Sequence, residues 1–276
     1  MAEITAAAVK ALRDKTQLPM MDCKKALSEA GGNEEAAIRW LREQGKKFLG
    51  SRNERSTEEG RLALHHAPTV GAIIELQCES APVASQEDFV QLAKDLAQQL
   101  ATGPGASTPE ELLAQPSPSK QGMTLQEQLD ELANKIREVF RLARLERIEG
   151  TTGGYLHHDA KTGVLVHFEG GTPEVAKEVA MHITAADPRP KVVNREEVDA
   201  AEVKAERDFL VEQARKEGKP DNIIDKMVDG RLRNFYAERV LVEQPFIKDD
   251  KTTVGKFAEA AGMKLKKFVR WQLGKE

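Results

Sequence analysis

Aromatic residues, cysteines and an excess of either charge are all scarce in this sequence. Aromatics make up 5% of its 276 residues, cysteines number 2, and 41 basic residues stand against 45 acidic ones, a formal net charge of −4. That near-balance excludes a protein that coats phosphates with its whole surface. Cys23 and Cys78 are too few for a disulfide framework and point to a reducing compartment. No apolar run approaches the ~20 residues of a membrane span, and the mean hydropathy is −0.51. The opening MAEITAAAVKALRDK lacks the order of basic start, apolar block and small-residue cleavage site that marks a signal peptide. The expectation is a soluble, cytoplasmic chain. At 40% hydrophobic residues it has ample material for a core, and its length predicts about two domains.

Catalytic signatures are missing as well. There is no GxxxxGK[ST] loop, since Gly218-Lys219 leads to Pro220 and Gly255-Lys256 leads to Phe257. Neither CxxC, HExxH, GxSxG nor an EF-hand spacing occurs. No cofactor, no metal site and no direct nucleotide binding are expected, and the chain does not read as an enzyme. The doublets His65-His66 and His157-His158 invite a metal reading, but neighbours in a strand point to opposite faces. They read instead as inherited hairpin positions. Lys264, Lys266, Lys267 and Arg270 with Phe268 and Trp271 resemble a nucleic-acid patch. A solvated face of a terminal helix explains them more simply, so a nucleic-acid partner is not expected. Arg137, Arg141 and Arg144 at helical spacing carry the same reading, because Glu138 and Glu146 sit among them.

What is present is helix signals, turn signals and one internal repeat. Residues 1–45 read as three short helices, the first capped by Thr5 with Ile4, Ala8, Ala11 and Leu12 on one face. Pro19 interrupts, and Cys23, Ala26 and Leu27 supply the second stripe. Gly31-Gly32 ends that helix, and Asn33 opens a third with Ala37, Ile38, Trp40 and Leu41 inside. Met20 and Met21 fall in the loop after Pro19, with Lys24 one turn later. They serve either as core plugs or as an exposed, adaptable apolar contact. Residues 46–60 read as a linker or an exposed helical connection.

The repeat joins LHHAPTVGAIIEL at 64–76 to LHHDAKTGVLVHF at 156–168, at a constant offset of 92 residues. Each copy has the pattern of a β-hairpin, and a helix follows each, LAKDLAQQLA at 92–101 and VAKEVAMHIT at 175–184. The first copy carries extra residues around CESAPVASQED at 78–88, where a functional loop is expected. Thr124 and Glu127 form a capping box, from which a long helix is predicted toward Gly150. Residues 196–217 and 221–240 flank Gly218-Lys219-Pro220 as a helical hairpin with a seam of Val203, Leu210, Ala214, Ile224, Met227 and Phe235. Residues 250–273 read as a closing amphipathic helix that includes KLKKFVRW, within a C-terminal segment at 250–276. The pattern predicts an α+β protein: a three-helix module at 1–45, a linker at 46–60, and core subdomains at 61–150 and 151–276. The second of these carries a helical arm at 196–240.

The opening MAEITAAAVKALRDKTQLPMMDCKKALSEAGG resembles the N-terminal module of the bacterial elongation factor Ts family. The resemblance continues in order through EG at 59–60, GAIIELQCES at 71–80, HIT at 182–184, GKP at 218–220, KMVDGRLRNF at 226–235 and QPFIKDDKTTVG at 244–255. It covers nearly the whole chain. It implies a ubiquitin-associated-like three-helix module, a duplicated hairpin-helix core and a projecting antiparallel helical hairpin. It also implies guanine nucleotide exchange in translation elongation, with elongation factor Tu as partner and a disturbed magnesium and phosphate site as the means. The family's intruding loop reads Thr-Asp-Phe-Val; here Ser80, Ala81, Pro82 and Val83 stand in its place. Neither acid nor aromatic is carried over, and Pro82 is expected to act as a smaller rigid wedge. Asp88-Phe89-Val90 looks like the missing motif but aligns with the following helix and reads as core. Other family contacts map onto Met20, Met21, Lys24, Ile136, Arg137 (where glycine is common), His157, Phe246 and Ile247. A second class stays open on the sequence: a structural or RNA-associated protein that kept the fold with a weakened exchange loop.

Overall fold

The computed structural model describes residues 4–52, 54–218 and 220–275. The chain divides into two compact units, one comprising the residues through His65, Ala72–Arg147 and Leu273–Lys275, the other His66–Gly71 and Ile148–Gln272. Both mix helices with small sheets, and the fold class is α+β.

The first unit opens with three helices, α1 (Ala6–Thr16), α2 (Met20–Glu29) and α3 (Glu34–Gly50). Thr5 accepts the Ala8 N–H at 3.2 Å and Asn33 Oδ1 that of Ala36 at 2.9 Å, satisfying amides that a helix start leaves open. Val9, Leu12, Leu18, Cys23, Ala26, Leu27, Ala37 and Leu41 form their shared core. Ala8 and Ala11, expected inside, face solvent, and Val9 with Leu12 forms the buried side of α1. Helix α3 runs to Gly50, into the stretch read as linker. It packs against α7 (Leu125–Ile136) at Gly45, where any Cβ would collide with Asn134 at 2.6 Å.

A three-stranded sheet follows in the order β1 (Glu59–Ala67), β2 (Val70–Cys78), β3 (Arg141–Glu149). Only Pro68-Thr69 separates β1 from β2, a hairpin. Strand β2 is central and nearly continuously buried, as its run VGAIIEL requires. Between β2 and β3 lie the single turn α4 (Ala81–Ala84), α5 (Glu87–Thr102), the short α6 (Pro109–Leu113) and α7. The α5 residues Phe89, Leu92, Leu96 and Leu100 are fully buried. Thr124 and Glu127 complete the expected capping box on α7.

In the second unit, β4 (Thr152–Leu156) pairs antiparallel with β5 (Thr162–Glu169), and β5 with β8 (Lys264–Gln272). Helix α8 (Pro173–Ala185) covers β4 and β5, so that Val164, Val166 and Phe168 pack on Ala176, Val179, Ala180 and Ile183. Helices α9 (Ala200–Lys216) and α10 (Asp221–Arg239) pack together over Leu210, Ala214, Ile224, Val228, Leu232 and Phe235. Val228 and Leu232 fill seam positions, while Met227, expected there, is only half-buried. The short β6 (Pro245–Phe246), β7 (Asp249–Thr253) and α11 (Val254–Ala260) precede β8.

Two long helices in the sequence pattern are corrected. The helix predicted from Thr124 toward Gly150 stops at Ile136, because Arg137 adopts the left-handed conformation, and the chain continues as β3. Arg141 and Arg144 therefore lie on a strand. The closing amphipathic helix is a strand-helix-strand run: KLKKFVRWQ is β8, where backbone pairing with β5 and the strand-favouring Phe268, Val269 and Trp271 outweigh helical spacing.

Phe89 is fully buried with its ring edge-on to Phe140 at 4.9 Å, so of Asp88-Phe89-Val90 the aromatic belongs to the core as expected, while Val90 is half-buried and Asp88 is exposed and pairs with Lys135 at 2.9 Å. Phe89→Ala is expected to lower unfolding free energy by roughly 3–5 kcal/mol, read by urea denaturation. A loss below ~1 kcal/mol would show that the ring is not core.

Candidate docking surface

Of the sequence candidates, Met20, Met21, Lys24, Ser80, Ala81, Pro82, Val83, Ile136 and Arg137 fall in the first unit, and His157, Phe246 and Ile247 in the second. In the first, Met20 and Met21 lie on the opening turn of α2 rather than in a loop, with exposures of 50% and 71%. The alternative of core plugs is thereby set aside. Lys24 is exposed one turn further on. The neighbouring Asp22 pairs with the Arg137 guanidinium, which lies 4.7 Å from the Phe48 ring. Arg52 covers the same ring at 4.0 Å and donates to the Arg137 carbonyl at 3.2 Å. Ile136 is half-buried at the end of α7. Arg137 itself has φ 67° and ψ 29°, a conformation that costs a non-glycine residue about 1 kcal/mol relative to glycine. That backbone explains why glycine suits the position. Here the Asp22 and Phe48 contacts offset the strain.

The loop after β2 is held from several directions. Both the Glu79 and Ser80 amides donate to Glu138 Oε2, at 3.2 and 3.1 Å, and the Ser80 hydroxyl donates to Oε1. In return, Glu79 Oε1 accepts the Val139 amide and Oε2 accepts Arg55, each at 2.8 Å. Partial burial works against ionisation of Glu79, but the Val139 amide and Arg55 outweigh it and hold the carboxyl below the usual range. The Cys78 thiol donates to the Ser80 carbonyl at 3.3 Å. Burial, then the charge of Glu138, push that thiol up to about 11, so it stays protonated and unreactive near neutral pH. Arg61 donates to the Ala84 carbonyl at 3.1 Å. Of the four loop candidates, Val83 is buried and roots the turn, Ser80 is half-buried, and Ala81 and Pro82 stand exposed. Pro82 fits the first turn of α4, where a missing N–H costs no helical hydrogen bond.

In the second unit, His157 follows the end of β4. Its Nδ1 lies 3.2 Å from the Tyr155 hydroxyl, and its ring is edge-on to His158 at 4.3 Å. Phe246 is buried and stacked on Phe257 at 4.3 Å, whereas Ile247 is 53% exposed. Between them sits a network that sequence reasoning missed, although its two residues fall in quoted motifs. The buried His182 accepts the Ile247 amide at Nδ1, 3.2 Å, and meets Gln244 Oε1 from Nε2 at 3.0 Å. Gln244 donates to the carbonyls of Pro188 and Glu238, at 2.9 and 3.0 Å. These partners assign the neutral imidazole with its proton on Nε2. Glu79 and Glu138 were missed too, because their pairing spans 60 residues of sequence.

A cavity of about 500 Å³ opens in the second unit beside His66, Pro68, Thr152 and Lys177. His66 and Thr152 bond to each other at 3.3 Å. Among the described residues there is no cluster of three or more metal-ligating side chains, and no helix is long and apolar enough to cross a membrane.

Small apolar tips on rigid polar supports define the class: an α+β protein whose displayed features suit docking. The sequence model of the family described as Elongation factor TS matches residues 79–275. The chain is 42% identical to the Elongation factor Ts of Rhodospirillum centenum, covering 99% of this chain and 94% of that one. It is 40% identical to the Elongation factor Ts of Kineococcus radiotolerans (99% and 100%) and 39% identical to that of Thioalkalivibrio sulfidiphilus (98% and 92%). The chain belongs to the elongation factor Ts family, a family of translation elongation factors.

Two predictions follow from these supports. Arg137→Ala keeps the left-handed backbone and loses the Asp22 and Phe48 contacts, whereas Arg137→Gly relieves the backbone and loses the same contacts. Urea denaturation is expected to place the alanine variant about 1–2 kcal/mol below the parent and the glycine variant about 1 kcal/mol above the alanine one. Equal stabilities would remove the strain argument.

Burial, opposed by Gln244, pushes the His182 imidazole below its ordinary value. The unfolded chain binds that proton more readily than the folded one, so the contribution is complete above about pH 6.5 and is lost as pH falls below it. The stability gap between parent and His182→Asn should therefore narrow from pH 7.5 to pH 5.5. A constant gap would show that His182 does not carry the acid sensitivity.

Proposed function

We propose that this chain is a guanine nucleotide exchange factor of translation elongation that binds elongation factor Tu in its GDP form and promotes GDP release, so that GTP can bind. The observation that carries the reading is the exposed Ala81-Pro82 tip, whose base is hydrogen-bonded to Glu138; the resemblance gives this stretch the position of the family's intruding loop. Met20, Met21 and Lys24 offer a second contact on the same unit, with Ile136 and Arg137 at the end of α7; His157, Phe246 and Ile247 offer contacts on the other. Phe246 acts from beneath, by supporting Ile247, and Arg137 by organising the α7 end.

Exchange of this kind involves no covalent chemistry on the factor. A partner that binds nucleotide-free Tu more tightly than the loaded form weakens nucleotide by the same factor. The magnesium ion bridges phosphate oxygens, so a wedge that displaces the elements holding the ion removes much of the nucleotide's grip. Pro82 supplies a compact, stiff wedge in place of an acidic and aromatic pair. The other contacts then carry a larger share of the effect. On this reading the chain meets nucleotide only through its partner and acts in the cytoplasm. The first three helices form the ubiquitin-associated-like module, the two hairpin-helix units a duplicated core, and α9 with α10 the arm.

The test is release of a fluorescent guanine nucleotide from elongation factor Tu in excess unlabelled nucleotide. The parent is expected to accelerate release, and Pro82→Gly to lower the maximal rate about tenfold, equivalent to ~1.4 kcal/mol. No acceleration by a parent that still binds Tu would favour a structural role. A glycine variant as fast as the parent would remove Pro82 from the mechanism.

A further inference from the structure

A single helical turn does not hold itself, because nucleation fixes several residues for one hydrogen bond. The turn Ala81–Ala84 is nevertheless displayed at the end of β2, and what sets its direction lies in Glu79 and Ser80, the residues joining strand to turn. Their two successive amides and the Ser80 hydroxyl all converge on one carboxylate, that of Glu138. The Glu79 carboxylate returns the favour at the Val139 amide. Each segment thus caps the other's backbone, by the reciprocal logic of a capping box, with charge-assisted bonds. The anchor is itself constrained: Glu138 follows Arg137, whose left-handed backbone and contacts with Asp22 and Phe48 tie it to the helix that carries Met20 and Met21.

We propose that Glu138 is the positioning residue of the Ala81-Pro82 tip: its carboxylate fixes the direction in which the tip is presented, in constant register with the methionine pair. This rests on the exchange reading above. A tip already ordered before contact delivers its binding energy to displacement in the partner rather than to its own ordering. Two patches held at one spacing also engage as a single bivalent surface. The hydrophobic roots of the loop, Val83 and Phe89, do not depend on Glu138, so loss of the carboxylate loosens direction without dissolving the fold.

Glu138→Ala tests this, since it removes the group that accepts both backbone amides and the Ser80 hydroxyl, whereas a glutamine carboxamide could still accept both amides through its oxygen. In the free chain, amide hydrogen exchange at Glu79 and Ser80 is expected to rise at least tenfold while the α5 amides keep their protection. Unchanged protection at Glu79 and Ser80 overturns the proposal whatever the nucleotide assay gives. In the release assay with elongation factor Tu, the maximal rate should fall about tenfold while the half-saturating concentration stays within about threefold. In a Pro82→Gly background the same change should cost less than twofold, because both act through one tip. Equal slowing with and without Pro82 overturns the proposal, as does a full maximal rate in Glu138→Ala. Failure of the parent to accelerate release would count against the exchange reading alone, and the hydrogen-exchange result would still decide the role of Glu138.

Discussion

Two carboxylates exchanged between segments 60 residues apart hold the exposed loop of the first unit in place. Glu138 takes the amides at the end of β2, and Glu79 takes the amide that leads into β3. Backbone amides at the end of a strand have lost their ladder partners and, once partly buried, need acceptors. A carboxylate meets that need more strongly than a neutral group, because the bond carries its charge. Much of the unit serves to put Glu138 there. The capping box starts α7 at Thr124, Gly45 lets α3 approach Asn134, and Arg137 turns the chain out of the helix through a strained backbone. A helix one residue longer would carry Glu138 around its axis and away from Ser80.

The second unit solves a similar problem with neutral groups. His182 and Gln244 are both buried, and each polar atom named in their network has a partner. Such a network is worth keeping only when it is complete, since an unpaired buried group costs about 1–3 kcal/mol. Its product is local: Phe246 faces inward onto Phe257, and the next residue, Ile247, faces out. In both units a small apolar tip is exposed because polar groups behind it are satisfied. Stiff tips of this kind suit a protein that acts by differential binding, in which energy spent on ordering the tip is lost to the partner.

The internal repeat and the three opening helices were legible because their signals are local. Thr5, Asn33, Gly31-Gly32 and Thr124 each act within one helical turn of the place they mark, and the hairpins alternate over a few residues. The misread elements lack such signals. Arg137 ends α7 with no glycine or proline, and the contacts that support that ending, with Asp22, Phe48 and Arg52, come from distant segments. KLKKFVRWQ satisfies a helical wheel as well as a strand, and pairing with β5 decides between them. Met20 and Met21 permitted two opposite readings until α2 was seen to start at Met20 and leave both side chains in solvent.

By itself the sequence determined the α+β class, the two β-hairpins and the helices whose caps it marks, the core placement of Phe89, and the family through motifs spread along the chain. Only tertiary structure decided that Ala81 and Pro82 are the exposed part of that loop, that Glu138 and Glu79 grip its base, and that His182 with Gln244 presents Ile247. The division has one physical cause. Caps, turns and hydrophobic periods act over a few residues and are written locally, whereas a hydrogen bond between distant segments depends on where the whole fold brings them.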